Sequence, residues 1–382
     1  MYPHLSDEHE ALRRQLRRFV DQEIFPIAAK IDEDQSFPME QYRKMGSLGF
    51  LGPSASPEYG GSGADLLTTA VIKEEIARGA PGLAMSINVC SLNFVHTIEL
   101  LGTEEQKRKY LPGVIAGEKI ASWMLSEPDA GSDSLALTTT ARPEGGHYLV
   151  KGSKTFITNG PLADYLILVA RLPGTKRAEG GVQLILDRDT EGLHISQKFN
   201  KLGMRCSPTS EVYLDDVKVP EENLLGTEGK GFPEMFRTLN AERSMGASTS
   251  IGIMQACLEI CTRYVQERHQ FGRPIGEFQL VQEMLAEMAM NLDISRAYCY
   301  RTVDLAQKGN DISREAGIIK LFASRAASRA ASDAVQIHGG YGFIKDYQVE
   351  RYFRDAKLGE LGGGTSEIQI RSIARDILKR GI

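Results

Sequence analysis

The sequence predicts a multidomain α and β fold in which helical segments flank a β-rich middle. It reads as an N-terminal α-helical domain over 1–118, a middle antiparallel β-barrel or sandwich over 119–230, and a C-terminal four-helix bundle over 231–382. Three observations predict this. Apolar residues recur at helical spacing to about residue 116, short β-branched runs between turns replace them from about 119 to 222, and longer helical patterns return from 231. With 382 residues, the chain can hold two or three sizeable cores.

In the first region Leu12, Leu16, Phe19, Val20, Ile24 and Ile27 mark one face of a helix over 6–30, with Asp7 and Glu8 in its first turn suiting the helix dipole. Ser6 with His9 is a poor capping box, because His replaces the usual Glu or Gln. Further helices are expected at 38–48, 65–77, 82–100 and 104–116, separated by "PSASPEYGGSG" and "ARGAPG". The middle holds the strand-like runs "YLVKGSKTFIT", "DYLILVARL", "GVQLILD" and "EVYLDDVKVP". No helical pattern separates them, which argues against βαβ units. The last region predicts helices at 231–267, 277–307, 312–337 and 366–380, with a break near "GGYGFIKDYQVE". "SMGASTSIG" (244–252) is unusually small-residued for a helix, which permits close approach of another helix or of a flat ligand.

Composition excludes several classes. Apolar residues at 42% and charged residues at 25% are the ordinary globular mix, and a net charge of −5 without a basic stripe argues against nucleic acid as a partner. The start has neither signal nor transit character, and no run approaches a membrane span, so a cytoplasmic location is expected. Cysteines 90, 206, 257, 261 and 299 make no CxxC pair, which fits unpaired thiols, and the seven scattered histidines predict no metal site.

Four glycine clusters, "GGSGAD", "GTEGKGF", "GGYGF" and "GGGT", all fail the G-x-G-x-x-G and Walker patterns. "GGGTSEIQ" does precede a helix, with Ser366 and Gln369 at capping-box spacing, and free N–H groups at a helix start can receive a phosphate or a ring carbonyl. More informative are "ASWMLSEPDAGSD" (121–133), "KTFITNG" (154–160), "ERHQFGRPIGEFQ" (267–279) and "QIHGGYGF" (336–343). Together and in this order they resemble the acyl-CoA dehydrogenase family, and the resemblance runs from "PEYGGSG" through "LGMRCSPTSEVYLDDVKVP" to "GTSEIQ".

That resemblance implies FAD between the β domain and the bundle, with an acyl-CoA thioester lying across the flavin. It implies flavin contacts from the backbone and side chains of Met124, Ser126, Phe156 and Thr158; Phe156 stands where relatives often carry Trp. Arg268, Phe271, Gln279, Gln336 and Gly340 would come from a neighbouring subunit to the pyrophosphate and adenosine, and Thr365 and Glu367 would also touch the cofactor. Ser132, Asn240 and Arg243 match positions that contact coenzyme A or the acyl chain. A homotetramer and an electron-transfer flavoprotein as electron acceptor are implied in the same way.

Many relatives carry the catalytic Glu of a Tyr-Glu-Gly-Thr loop where this chain has Gly363. Branched-chain and long-chain relatives place it on the first long helix of the bundle, and "LNAERSMG" puts Glu242 there. Alicyclic-substrate relatives can draw a carboxylate from the N-terminal domain, but between Glu75 and Glu99 there is none. The expected reaction is therefore α-proton removal by Glu242 and β-hydride transfer to flavin N5, with the Gly363 N–H kept as an oxyanion donor. The triple glycine suggests a short to medium, branched or alicyclic acyl group. Enoyl-CoA reduction, oxidation coupled to loss of carboxylate or sulfinate, nitroalkane oxidation, and a non-catalytic flavin-binding scaffold stay open as alternatives.

Overall fold

The computed structural model describes residues 4–380, the last of them by its backbone alone. Seven α-helices come first: α1 (Asp7–Phe19), α2 (Phe25–Glu33), α3 (Met39–Ser47), α4 (Leu66–Gly79), α5 (Pro81–Asn88), α6 (Thr97–Leu101) and α7 (Glu104–Ile115). Wider π-turns at Val20–Ile24 and Val89–His96 join α1 to α2 and α5 to α6. The capping box at α1 forms after all. His9 Nδ1 accepts from the Ser6 N–H while Ser6 Oγ accepts from the His9 N–H, and His9 Nε2 then faces Asp65 at 2.9 Å. An imidazole nitrogen replaces the Glu oxygen, which sequence convention discounts.

Continuous helix over Pro81–Leu101 is long and apolar enough to cross a membrane, contrary to the expectation that no run approaches that length. Most of it is buried inside the protein, so it serves here as a core helix.

Strands follow: β1 (Ala121–Met124), β2 (Thr140–Glu144), β3 (His147–Thr158), β4 (Tyr165–Arg171), β5 (Gly181–Asp187), β6 (Leu193–Ile195), β7 (Thr209–Pro220) and β8 (Leu224–Gly229). Their order is β6-β7-β3-β2-β4-β5-β8, with β1 on β4. Most ladders are antiparallel as expected, but β1 pairs parallel with β4 over Ala121–Met124, and β2 meets β4 in parallel at one residue pair, Thr140 and Arg171. The sheet is therefore mixed. The chain between β1 and β2 makes a long excursion through Glu127–Thr139, so β1 is not the arm of a hairpin and is free to run beside β4.

Helix returns in α8 (Gly231–Glu267), then, beyond the short hairpin β9 (His269–Gln270) and β10 (Arg273–Pro274), in α9 (Gln279–Gln307), α10 (Ser313–His338), α11 (Val349–Leu361) and α12 (Ser366–Arg380). The expected break holds at residues 344–348, which are non-helical, but α11 then fills most of the stretch before 366 where the sequence predicted no helix, and Gly362–Thr365 separate it from α12. Gly359, on the α11 face toward α10, would meet Ser324 Cβ at 3.2 Å if it carried a side chain, so the residue that weakens the helix pattern is the one that lets the helices approach. Gly252 of α8 does the same against α4, where a Cβ would lie 2.3 Å from the Glu74 carbonyl. Tight packing accounts for that end of the small-residue stretch.

Candidate active site

Glycine backbone and helix α8 build the site between them. Gly363 and Gly364 both have left-handed backbones, with φ of +64° and +92°, a conformation that disfavours any side chain. Their carbonyls are clamped: Arg243 Nε donates to Gly363 O at 2.9 Å, Lys320 Nζ to Gly364 O at 2.5 Å, and Gln369 Nε2 to both at 3.2 Å. Gln369 therefore holds the loop, and the cap of α12 is Thr365, whose Oγ1 accepts from the Ile368 N–H at 3.4 Å. Ser366, expected to cap, is buried instead. Asn240 accepts from Arg243 at 3.1 Å and donates to Ser313 of α10 at 3.1 Å, so its side chain serves the scaffold.

Glu242 stands one residue before Arg243 on α8, and its carboxylate lies against the glycine loop. Oε2 is 3.6 Å from the point a Gly363 Cβ would occupy, and Oε1 accepts from Asn88 Nδ2 at 2.9 Å. A cavity opens beside it, lined by Glu242, Arg243 and Gly363 together with Asn88, Lys320 and Met204. Burial pulls the Lys320 ammonium down to about 8, with Arg243 adding to the shift, and burial also lowers the Arg243 guanidinium. Gly246, Ala247, Thr249 and Ser250 of the small-residue stretch also line the cavity, so that stretch serves both a ligand space and helix packing.

Hydrogen bonds gather the expected flavin residues of the sheet at one place. Thr155 N donates to Ser126 O at 2.9 Å and Ser122 Oγ to Thr158 O at 2.7 Å, which ties the end of β1 to the end of β3. The register of β3 shifts between Lys154 and Ile157, and within that shift Phe156 takes φ +57° and turns its ring outward, 70% exposed. Met124, expected at the flavin, is wholly buried in the sheet core. Ser132 sits on an exposed turn outside the cavity.

At the far end of α8, Arg268 and Gly340 line a second cavity with Tyr264 and Tyr341, and the Arg268 guanidinium lies 5.4 Å from the Tyr341 ring centre. Phe271 nearby is 94% exposed, and Gln279 and Gln336 are exposed outside that cavity. Glu367 stands exposed in the first turn of α12, where backbone N–H and the Thr365 hydroxyl lower its carboxyl. The 26 residues from Glu242 to Arg268 span roughly 39 Å of helix at 1.5 Å each.

Sequence models of the acyl-CoA dehydrogenase N-terminal, middle and C-terminal domains match residues 6–118, 122–217 and 229–378. The chain belongs to the acyl-CoA dehydrogenase family. A short-chain specific acyl-CoA dehydrogenase of Clostridium acetobutylicum is 41% identical over 379 residues, and a 3-(aryl)acrylate reductase of Clostridium sporogenes 40% over 376, each match covering 98% of this chain and 99% of the relative. A glutaryl-coenzyme A dehydrogenase solved with glutaryl-CoA superposes with a TM-score of 0.96 at 38% identity, covering 99% of this chain and 97% of that one. PigA solved with FAD and proline gives 0.96 at 28% over the full length of both. This acyl-CoA dehydrogenase family member is accordingly an FAD-dependent oxidoreductase acting on acyl-CoA.

The residues present suit that cofactor. Phe156 offers an uncovered aromatic face beside the Ser126 and Thr158 backbone, and Arg268 offers a cation at an open cavity beside Gly340, where a Cβ would meet nothing within 4 Å. Sequence reasoning missed Lys73, Asn88, Lys320 and Met204 around Glu242. The one available signal was "VIKEEI", three consecutive charges inside an apolar helix, and all three are buried.

Proposed function

We propose that the chain dehydrogenates the α,β bond of an acyl-CoA thioester, with Glu242 removing the α-proton and the Gly363 N–H donating to the thioester oxygen as it gains charge. The observation that carries this is the position of Glu242 Oε2, 3.6 Å from where a side chain at Gly363 would begin. One carboxylate fills the space that the other position leaves vacant. FAD, when bound, accepts the β-hydride. Arg243 and Lys320 keep the glycine carbonyls turned to themselves, which fixes the loop backbone from which the N–H is offered. Bulk is small beside Gly362 and Gly363, which supports a short to medium, branched or alicyclic acyl group.

Further parts of the reading are a cytoplasmic homotetramer with divisions near residues 118 and 230, an electron-transfer flavoprotein as acceptor, and cofactor contacts from Met124, Ser126, Phe156, Thr158, Thr365 and Glu367. Arg268, Phe271, Gln279, Gln336 and Gly340 of a neighbouring chain would complete the cofactor site, and Ser132 would meet the coenzyme A arm. The reductase name of the Clostridium sporogenes relative favours one second reading, in which the same groups run the reaction toward saturation.

The test is an anaerobic titration of the yellow protein with butyryl-CoA, isovaleryl-CoA and cyclohexanecarbonyl-CoA. Bleaching by one of them, with a 2-enoyl thioester as product, is the expected result. Glu242→Gln should keep its flavin and lose roughly 10²- to 10⁴-fold in bleaching rate, the usual worth of a positioned base. Undiminished bleaching in that variant removes Glu242 from the role.

A further inference from the structure

Three cations surround Glu242, and two are already engaged. Arg243 and Lys320 donate to the carbonyls of Gly363 and Gly364. The third, Lys73 of α4, is fully buried and reaches the carboxylate only through an amide. Its Nζ donates to Asn88 Oδ1 and, at 2.9 Å, to the Met245 carbonyl of α8. Asn88 Nδ2 in turn donates to Glu242 Oε1 at 2.9 Å and to Asn93 Oδ1 at 3.5 Å.

An ammonium has only donors, so it admits the amide in one orientation. Turned over, the amide would press its NH₂ against Nζ and its oxygen against the carboxylate, and both contacts would be repulsive. With the amide held, its N–H can only face Glu242. The terminal torsion of a Glu side chain is broad and roughly two-fold, so an unrestrained carboxylate offers either oxygen over a wide range of angles. One fixed donor on Oε1 removes that freedom and leaves Oε2 as the oxygen beside Gly363.

We propose that Lys73 and Asn88 are positioning residues for the base: Lys73 sets the Asn88 amide, and the amide aims Glu242 so that Oε2 faces the α carbon of the acyl group. The proposal rests on Glu242 being the base, and it adds residues on two helices outside the bundle to the device that aims it. A purely structural role would have Lys73 only stitch α4 to α8 through the Met245 carbonyl. The two accounts differ in what the variants do to the chemical step.

The experiment uses flavin-loaded enzyme and whichever of butyryl-CoA, isovaleryl-CoA and cyclohexanecarbonyl-CoA bleaches the flavin fastest, prepared with hydrogen and with deuterium at the α carbon. Asn88→Leu and Lys73→Met should lower kcat about 10- to 100-fold, the scale on which a misplacement near 1 Å acts, with KM changed less than about 3-fold. Their α-deuterium isotope effects should exceed that of the wild type, because proton removal alone has slowed. Lys73→Gln, which keeps an N–H donor, should recover most of the loss relative to Lys73→Met. Equal impairment of Lys73→Gln and Lys73→Met, an unchanged isotope effect, or a wild-type kcat in Asn88→Leu would each overturn the proposal. The two breaking variants lie on different helices, so either one that takes up flavin decides, and Asn88→Ser is the reserve. If no thioester bleaches the wild type, or if Glu242→Gln bleaches normally, the reading of the reaction fails first and the proposal falls with it. If Glu242→Gln is dead and the Lys73 and Asn88 variants are normal, only the proposal fails.

Discussion

The Glu127 carboxylate collects four donors: Thr138 N at 2.6 Å, Thr138 Oγ1 at 2.9 Å, Thr139 N at 3.0 Å and the buried Lys154 ammonium at 2.8 Å. Burial opposes its ionisation, but Lys154 and these hydrogen bonds outweigh burial and bring the carboxyl from 4.5 down to about 2. Lys154 also donates to Leu125 O at 2.9 Å, so one ion pair braces the turn that carries Ser126. A carboxyl depressed on folding stabilises fully above its ordinary value and loses that contribution as pH falls through the folded one. The thermal midpoint of the wild type should therefore drop steeply between about pH 4.5 and 2, and Glu127→Gln should start lower and fall less over the same window. Melting curves of both proteins across that range check it. None of this was legible from residue types, because Glu127 and Lys154 stand 27 positions apart and meet only through the β1–β3 arrangement. Glu242 and Gly363 were legible because both lie in short motifs, whereas Lys73 and Asn88 reach the site from helices whose sequence reads as core.

Between elements, buried charge joins the first helices to the bundle. Glu74 of α4 accepts from Arg296 of α9 at 2.7 and 3.0 Å and from the Tyr300 hydroxyl at 2.6 Å. Glu75, Arg78 and Glu259 extend the network through α4 to α8, and Arg17 brings in α1. Removing one member of a buried pair strands the other, so Arg296→Met should cost about 3–5 kcal/mol in a denaturant titration. Glu74→Met combined with Arg296→Met should recover part of that, since the stranded charge is gone. The helices themselves were readable to within a few residues, because 3.6-residue periodicity is strong in long amphipathic segments. The parallel pairing of β1 was not, since a four-residue strand carries no mark of its partner. Helix α11 was hidden by Gly359, whose reason for being there is the neighbouring helix.

On the scale of the whole molecule, α8 carries Glu242, the proposed base, in its first third, and Arg268 follows directly after its last residue, roughly 39 Å along. In the proposed assembly each cofactor site is divided between two chains, so a lesion at Glu242 and a lesion at Arg268 disable different sites. Glu242→Gln chains alone should be yellow and inactive, and Arg268→Ala chains alone should lose flavin on gel filtration. Co-expressed, the two should regain activity, because a fraction of the sites would draw an intact Glu242 from one chain and an intact Arg268 from another. No recovery in the mixture would place both residues at one chain's own site. The consequence reaches inheritance as well as chemistry: two alleles of this gene, each inactive by itself, would complement one another when one lesion lies at Glu242 and the other at Arg268, and would fail to do so when both lie at the same position.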